Sequence, residues 1–406
     1  MHPGESSIET MWRMAVPCVV NLTPRPSLAL TQDTATAWAT VNLTALSHNT
    51  RQLTEKARPA GLMGIVKADA YGHGVVPVAR TLVSEGVEWL AVATVAEGVK
   101  LRENGLECPI LVMGAMHPSW ATWYVDFNLD ATIASQTVAE GLSNIDVTQR
   151  SLRVHLKVDT GMGRLGVNPT EVLDTVRMLE ATRGIDLVGF YTHLAAADAD
   201  DLTSARQQIS QLDRSLALVD VGERVVHIAN TEAIRRLPES LGLYPRSLAR
   251  AGVGLYGSPV REDTREELGL RQVMTLSAAV TQVKSVLAGT PISYGGRWVA
   301  REDTLIATLG IGYADGYRRI LEGKAWVGIN GVRCEVAGTI CMDMIMVEVR
   351  SESSDAPPGS RAVLFGQGGP HVSEVAHWAQ TIPYEIWTGI GARVPRVHVN
   401  EDPFSV

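Results

Sequence analysis

From about residue 60 the chain alternates short apolar runs with amphipathic stretches, and that alternation restricts it to architectures built from repeated strand–helix units. Eight runs read as strands: 62–66, 89–93, 110–113, 131–133, 152–158, 187–191, 225–229 and 249–255. Between them lie helical patterns. In one, Leu202, Ala205, Ile209, Leu212 and Leu216 recur at three- and four-residue spacing while Gln207, Gln208, Asp213 and Arg214 fill the other side, as in an outer helix packed on a sheet. Eight strands with intervening helices suggest a closed barrel. Periodicity alone leaves a doubly wound open sheet as the alternative.

After the polar stretch 258–267 the pattern changes to longer alternating runs without helices between them. Segments 325–329 and 332–337 flank Asn330-Gly331, the two-residue chemistry of a type I′ hairpin. Further strands are expected at 275–286, 305–309, 344–349 and 361–364. The expectation is therefore an α/β chain: residues 1–34 as a flexible extension, a (β/α)8 barrel over 35–265, and a mainly antiparallel β domain over 266–406. A length of 406 residues fits two domains, since one core seldom grows beyond about 300 residues.

Charge narrows the function classes. A net charge of −8 without a Lys/Arg cluster gives no footprint for nucleic acid or an anionic membrane, so a small metabolite is the expected partner. Cys18, Cys108, Cys334 and Cys341 are too sparse for a disulfide scaffold and have no metal-ligand spacing, which fits a reducing cytoplasm and no metal. No apolar run reaches the length of a membrane span. The short apolar stretch 14–20, broken by Pro17, reads as part of a tail or overlong start, with an export signal as the alternative.

Chemically capable residues fall repeatedly just after barrel strands: Lys67, Lys157 with Asp159, His193, and Asn230 with Thr231. In a (β/α)8 barrel all strand C-terminal ends open on one face, where active sites are built. Lys67, closing an apolar strand, can form a Schiff base with an aldehyde cofactor, and desolvation by Ile65 and Val66 favours the neutral amine this needs. Taken by itself, a strand-end lysine is more often a solvated surface group.

Longer motifs change that balance. GIVKADAYGHG (64–74), HLKVDTGMGRLG (155–166), FYTHLAAAD (190–198), HIANT (227–231), ARAGVGLYG (249–257), ISYGGRW (292–298), LGIGYADGYRR (309–319), GTICMDM (338–344) and RVPR (393–396) occur in order, and together the chain resembles the alanine racemase family from about residue 36 to its end. The resemblance implies a pyridoxal-phosphate (PLP) enzyme, a barrel plus β domain, and a head-to-tail homodimer whose sites pair one barrel with the partner's β domain. It implies racemisation of L- and D-alanine by two bases on opposite faces of the PLP-bound substrate: Lys67, which also binds PLP, and Tyr294 from the second chain. Removing an α-proton on one side and returning one on the other requires two such positioned groups.

By the same resemblance Arg250 binds the pyridine nitrogen; a donor that does not surrender its proton leaves that nitrogen unprotonated. Arg164 touches the cofactor's phenolic oxygen and helps place substrate. Lys157 matches a lysine the family often carbamylates, and His193 a histidine beside the partner's tyrosine. Tyr71, Asn230, Thr231, Gly252 and Val253 fall to the cofactor and its phosphate, Thr231 keeping the hydroxyl of the family's commoner serine. Tyr313, Met342 and Asp343 fall to the substrate and its access path. Ala392 departs from the pattern: some relatives carry a tyrosine there, and the smaller residue leaves serine or a wider range of amino acids open. Two rival readings are a PLP-dependent decarboxylase of basic amino acids, for whose cysteine motif Cys341 could be mistaken, and a noncatalytic PLP carrier. GYADGY, ISYGGRW and Arg250 weigh against the first, and the β domain against the second. The family's usual role is supply of D-alanine for the bacterial wall.

Overall fold

The computed structural model describes residues 35–143, 151–258, 267–350 and 356–400. The extension 1–34, with the apolar stretch 14–20 and Cys18, lies outside the described residues, as does most of the polar stretch at the domain boundary.

Strand β1 (Ala37–Asn42) comes first, followed by eight parallel strands that close into a barrel: β2 (Gly61–Ile65), β3 (Trp89–Val92), β4 (Ile110–Ala115), β5 (Asp130–Ile133), β6 (Leu152–Lys157), β7 (Ile185–Tyr191), β8 (Val225–His227) and β9 (Ser247–Ala251). Closure is direct, since β2 pairs with β9, Met63 opposite Arg250. The eight expected strands are these eight, each within a few residues. They read as continuous apolar runs because side chains on one face fill the barrel and those on the other meet the helices; in β3 all four residues are buried.

The helix Thr203–Leu216 carries its apolar stripe as the spacing requires, with one exception: Gln208, expected on the polar side, is buried. Its amide accepts from Ala195 N–H (2.9 Å) and donates to His193 O (3.1 Å), so the helix braces the loop that follows β7.

Strand β1 is the main departure from the expected division. It runs antiparallel to β10 (Met274–Val286) and parallel to 396–399, so it belongs to the sheet of the second domain although it precedes the barrel in sequence. Its alternation could not reveal which sheet it joins. The 13-residue strand β10 pairs with β1 and Arg361–Phe365 through its first half. Beyond an irregularity between Val280 and Gln282 its second half pairs with Thr304–Leu309, so one strand turns a corner of the domain. The Asn330-Gly331 hairpin is present, with φ 50° and 79° as a type I′ turn needs. Two short helices, Val372–Trp378 and Pro383–Thr388, join this mainly antiparallel domain.

One apolar core runs through both domains. Trp387, fully buried, brings its carbonyl against Gly72, where a Cβ would lie 2.5 Å from that oxygen. That contact presses the second domain on an unusual segment: Ala68, Asp69, Ala70 and Tyr71 all have φ of 53–55° and ψ of 40–52°, a left-handed turn of four L-residues. Each costs roughly 1–2 kcal/mol over its right-handed equivalent, because Cβ crowds the following carbonyl. No described helix is long and apolar enough to cross a membrane.

Candidate active site at the barrel mouth

The turn after β2 is where the site begins. It places the Lys67 amine and the Tyr71 ring in one cavity of about 340 Å³ at the C-terminal end of the barrel, with Lys157, Arg164, His193, Asn230, Thr231, Arg250, Gly252 and Val253 also in its wall. Every barrel residue that the family resemblance assigns to the site is therefore brought together there, whereas Asp159 is not in the wall. Seven of the eight barrel strands contribute through their ends or following loops, because parallel strands present all those ends on one face.

Arg250, buried inside the barrel, anchors the arrangement. One terminal nitrogen donates to His227 O (2.6 Å) and His227 Nδ1 (3.0 Å), the other to Thr192 O (2.8 Å), Ile228 O (3.0 Å) and His193 Nδ1 (3.2 Å). Burial, only partly opposed by the Tyr191 ring system, pushes its pKa down to about 10, which still leaves a cation at neutral pH. Because arginine only donates, both imidazole Nδ1 atoms accept and the protons sit on Nε2. His227 Nε2 then donates to His155 Nδ1 (3.1 Å), and His155 Nε2 stands 3.5 Å from Asp130 Oδ2 without making a hydrogen bond to it. Asp130 is bound in turn by Arg153 (2.8 Å). A donor chain of fixed direction thus runs down the barrel from Arg250.

Positive charge and burial set the remaining groups. Burial, then Arg164, hold Lys67 below the usual lysine range, with Glu97 opposing them. Burial, then Arg164 and Arg250, push Lys157 down to about 8. Burial and the same two arginines push His193 down to about 3, so its ring is neutral. Tyr191 offers its ring to Lys157 (5.4 Å) and Arg250 (5.5 Å) and stacks on His227 at 4.5 Å, while its hydroxyl pairs with Thr132 (2.9 Å). Arg164 stands on a loop closed by Asp159, whose carboxylate accepts from Gly161 and Gly163 N–H, both at 3.0 Å.

At the other end of the cavity, Thr231 Oγ1 accepts from Gly252 N–H (3.2 Å) and Gly254 N–H (3.4 Å), and Asn230 caps the short helix that follows by accepting from Ala233 N–H. A Cβ on Gly252 would lie 2.9 Å from Tyr71 Oη. The missing side chain leaves a hydroxyl-lined cradle beside backbone N–H groups, which suits a phosphate. A half-buried lysine of lowered pKa, this cradle and a buried arginine between them fit pyridoxal phosphate.

The β-domain residues form a separate concavity. Tyr294 (73% exposed), Tyr313 (44%) and Met342 (53%) line it with Arg318 and Arg319, and it shares no wall residue with the barrel cavity. Asp343 is exposed and held by Arg393 (2.8 Å), which also meets Asp315 (3.2 Å). Ala392 is exposed and forms no part of either wall.

Four residues escaped the sequence reading. His227 and His155 lie inside the barrel, where only the register joins them to Arg250. Tyr384, in the second domain, enters the cavity wall with its ring 5.6 Å from Tyr71. Glu97 sits in a visible Thr-x-x-Glu capping box, yet the motif does not say what its second oxygen binds.

Comparison with known proteins agrees with this geometry. Residues 41–259 match the family model "Alanine racemase, N-terminal domain" and 273–398 match "Alanine racemase, C-terminal domain". An alanine racemase of Carboxydothermus hydrogenoformans is 40% identical over 370 residues, 89% of this chain and 99% of that protein. The alanine racemase structure from Clostridium difficile 630 superposes with a TM-score of 0.84 at 34% identity, covering 91% of this chain and 97% of that one. The Bartonella henselae alanine racemase, determined with covalently bound pyridoxal phosphate, superposes with a TM-score of 0.80 at 28% identity over 90% and 100% of the two chains.

Proposed function

The chain belongs to the alanine racemase family, and we propose that it racemises alanine with two bases drawn from two copies of itself, Lys67 of one and Tyr294 of the other. As a family member it is a pyridoxal-phosphate isomerase interconverting L- and D-alanine. The observation that carries the two-copy reading is the separation of the two concavities: within one chain Tyr294 and Lys67 line different walls, and Tyr294 stands largely in solvent. A head-to-tail dimer brings an exposed β-domain face over a barrel mouth twice, by one symmetry operation.

Bound at Lys67, pyridoxal phosphate supplies the electron sink that makes the α-proton of alanine removable. The protein's residues do the rest. Tyr71, Thr231 and the Gly252 and Val253 backbone hold the phosphate, with Asn230 fixing the helix start beside it. Lys67 Nζ exchanges a proton on one face of the substrate, its pKa lowered by burial and then by Arg164. Tyr294 Oη does so on the other. Arg164 sits over the cavity to hold the cofactor's phenolic oxygen and the substrate carboxylate, and the Met342 N–H, with Asp343 beside it, completes carboxylate binding from the partner's side. His193 stands neutral near the arriving tyrosine. Arg250 stays a cation because its neighbours are acceptors, and it donates without giving up its proton, which limits electron withdrawal and with it side reactions. Tyr313 lines the approach. Carbamylation of Lys157 would replace one of several crowded cations by an anion facing Arg164.

Family membership disfavours the decarboxylase and the carrier alike. The exposed Ala392 leaves acceptance of serine to a substrate survey. The free thiols Cys108, Cys334 and Cys341 fit a cytoplasmic enzyme supplying D-alanine for wall precursors. The test is complementation. K67A and Y294F should each racemise poorly alone, yet mixed one to one after dissociation they should recover about a quarter of wild-type activity, since half the dimers are mixed and each has one intact site. No recovery, with mixed dimers demonstrated by mass spectrometry, would remove the shared site.

A further inference from the structure

Lys67 is followed at once by the left-handed turn Ala68–Tyr71, so whatever fixes the start of that turn fixes the direction of the amine. Most of the turn is held from within or from behind. Ala70 N–H donates to Val66 O (2.9 Å) and Gly74 N–H to Asp69 O (2.9 Å). The Asp69 carboxylate accepts from Val75 N–H (3.1 Å) and Lys100 (3.0 Å), and Arg396 Nε donates to Gly72 O (2.9 Å). The first residue of the turn is different. Ala68 is exposed, and its N–H donates to Glu97 Oε1 at 2.6 Å, across the gap to the next strand–helix unit.

Glu97 has an ordinary duty that explains only half of its carboxylate. As the third residue of the helix Val95–Glu103 it completes a capping box with Thr94, Oε2 accepting from Thr94 N–H (3.2 Å) and from Ala93 N–H (2.7 Å) at the end of β3. Capping requires one oxygen. The other reaches the residue beside the catalytic lysine.

We propose that Glu97 is a positioning residue for Lys67, its free oxygen pinning the Ala68 N–H so that the left-handed turn delivers the Lys67 amine and the Tyr71 hydroxyl into one cavity. This rests on the reading of Lys67 as base and cofactor ligand. The carboxylate also acts through charge. Of the groups around Lys67, namely Arg164, Lys157, His193 and Glu97, the first three favour the neutral amine or are uncharged, and Glu97 alone favours the protonated one; Asp69 is neutralised by Lys100.

Two variants separate reach from charge. E97D keeps the charge and can still cap, but is one methylene too short for Ala68. E97Q loses the charge and has one acceptor oxygen for two duties. Lys67 reactivity is read in cofactor-free protein by 2,4,6-trinitrobenzenesulfonate labelling against pH, by peptide mass spectrometry with exposed Lys56 as internal reference; kcat and KM for alanine are read in the PLP-loaded enzyme. E97D should lower kcat on the order of tenfold with KM within about twofold, leaving the labelling midpoint near wild type. E97Q should also lower kcat and move the midpoint down by about half a pH unit. Wild-type kcat in both variants overturns the proposal, as does a kcat loss that merely follows the melting temperature and vanishes on cooling. Should neither variant fold, hydrogen exchange in the wild type decides: an exposed amide held by the carboxylate exchanges at least about a hundredfold slower than an unprotected one, and fast exchange at Ala68 overturns the role. Absence of racemisation by the wild type would sink the functional reading instead, while labelling and exchange would still report on Glu97.

Discussion

Gly252→Ala is the sharpest probe of how the cavity holds a phosphate. The added Cβ would sit 2.9 Å from Tyr71 Oη, closer than nonbonded carbon and oxygen tolerate, so the hydroxyl must retreat by about half an ångström. The ring is braced, since Tyr71 is only 6% exposed and packed at 4.7 Å from Tyr256 and 5.6 Å from Tyr384, so the retreat is into the cavity the phosphate would occupy. The methyl group also crowds the cradle in which Gly252 N–H meets Thr231 Oγ1. Loss of one hydrogen bond to a charged phosphate costs about 1.5–3 kcal/mol, so the Kd for PLP should rise roughly 10- to 150-fold. The assay is equilibrium dialysis of PLP against protein stripped of cofactor with hydroxylamine, with the melting temperature of the stripped protein as a folding control. Y71F supplies the decisive comparison. With the hydroxyl gone the methyl group has room, so G252A should cost much less in that background than in the wild type. Fully additive losses, or an unchanged Kd for G252A, would refute the cradle.

Three further outcomes follow from the charges at the mouth. Arg164 lowers the Lys67 pKa, so Arg164→Gln should raise it and move PLP uptake by stripped protein to higher pH; a shift the other way would count against the assigned electrostatics. With its pKa pushed down to about 8, Lys157 presents a neutral amine that attacks carbon dioxide and loses a proton, so 13C-bicarbonate should give a carbamate NMR signal that grows between about pH 7 and 9 and is missing in K157A; a signal unaffected by K157A would clear Lys157 of the modification. Burial holds His73 and His193 down to about 3 and His227 well below its ordinary value, so below about pH 6.5 the unfolded chain binds protons the native one refuses. Their contribution is complete above that pH and falls by up to about 4 kcal/mol per pH unit below it, at about 1.4 for each histidine. Urea titrations at pH 7.5 and 5.5 should show the fall, and H193N should lessen it; an equal slope in H193N would contradict the burial argument.

How much of this was legible in the sequence depended on whether a residue's duty is local. The eight barrel strands and the Asn330-Gly331 hairpin could be read because hydrophobic period and turn chemistry are set by near neighbours. Lys67, His193 and Thr231 could be placed because a strand end in a parallel barrel has only one face to open on. What could not be read needed register or a second element. The alternation of β1 suits any half-buried sheet, and only pairing with β10 assigns it to the second domain. Gln208 looked like helix surface because nothing in its own helix marks the His193 loop as a partner for its amide. His155 and His227 lie 72 residues apart and become a chain only when β6, β7 and β8 stand side by side. Glu97 shows the limit most plainly. Its capping box is a local signal and could be recognised from Thr94 alone, whereas the contact with Ala68 depends on how far β2 and β3 are staggered. The residues that carry chemistry are therefore readable from strand ends, and those that aim them sit on other elements, as Gln208 does on the following helix and Glu97 on the next strand–helix unit.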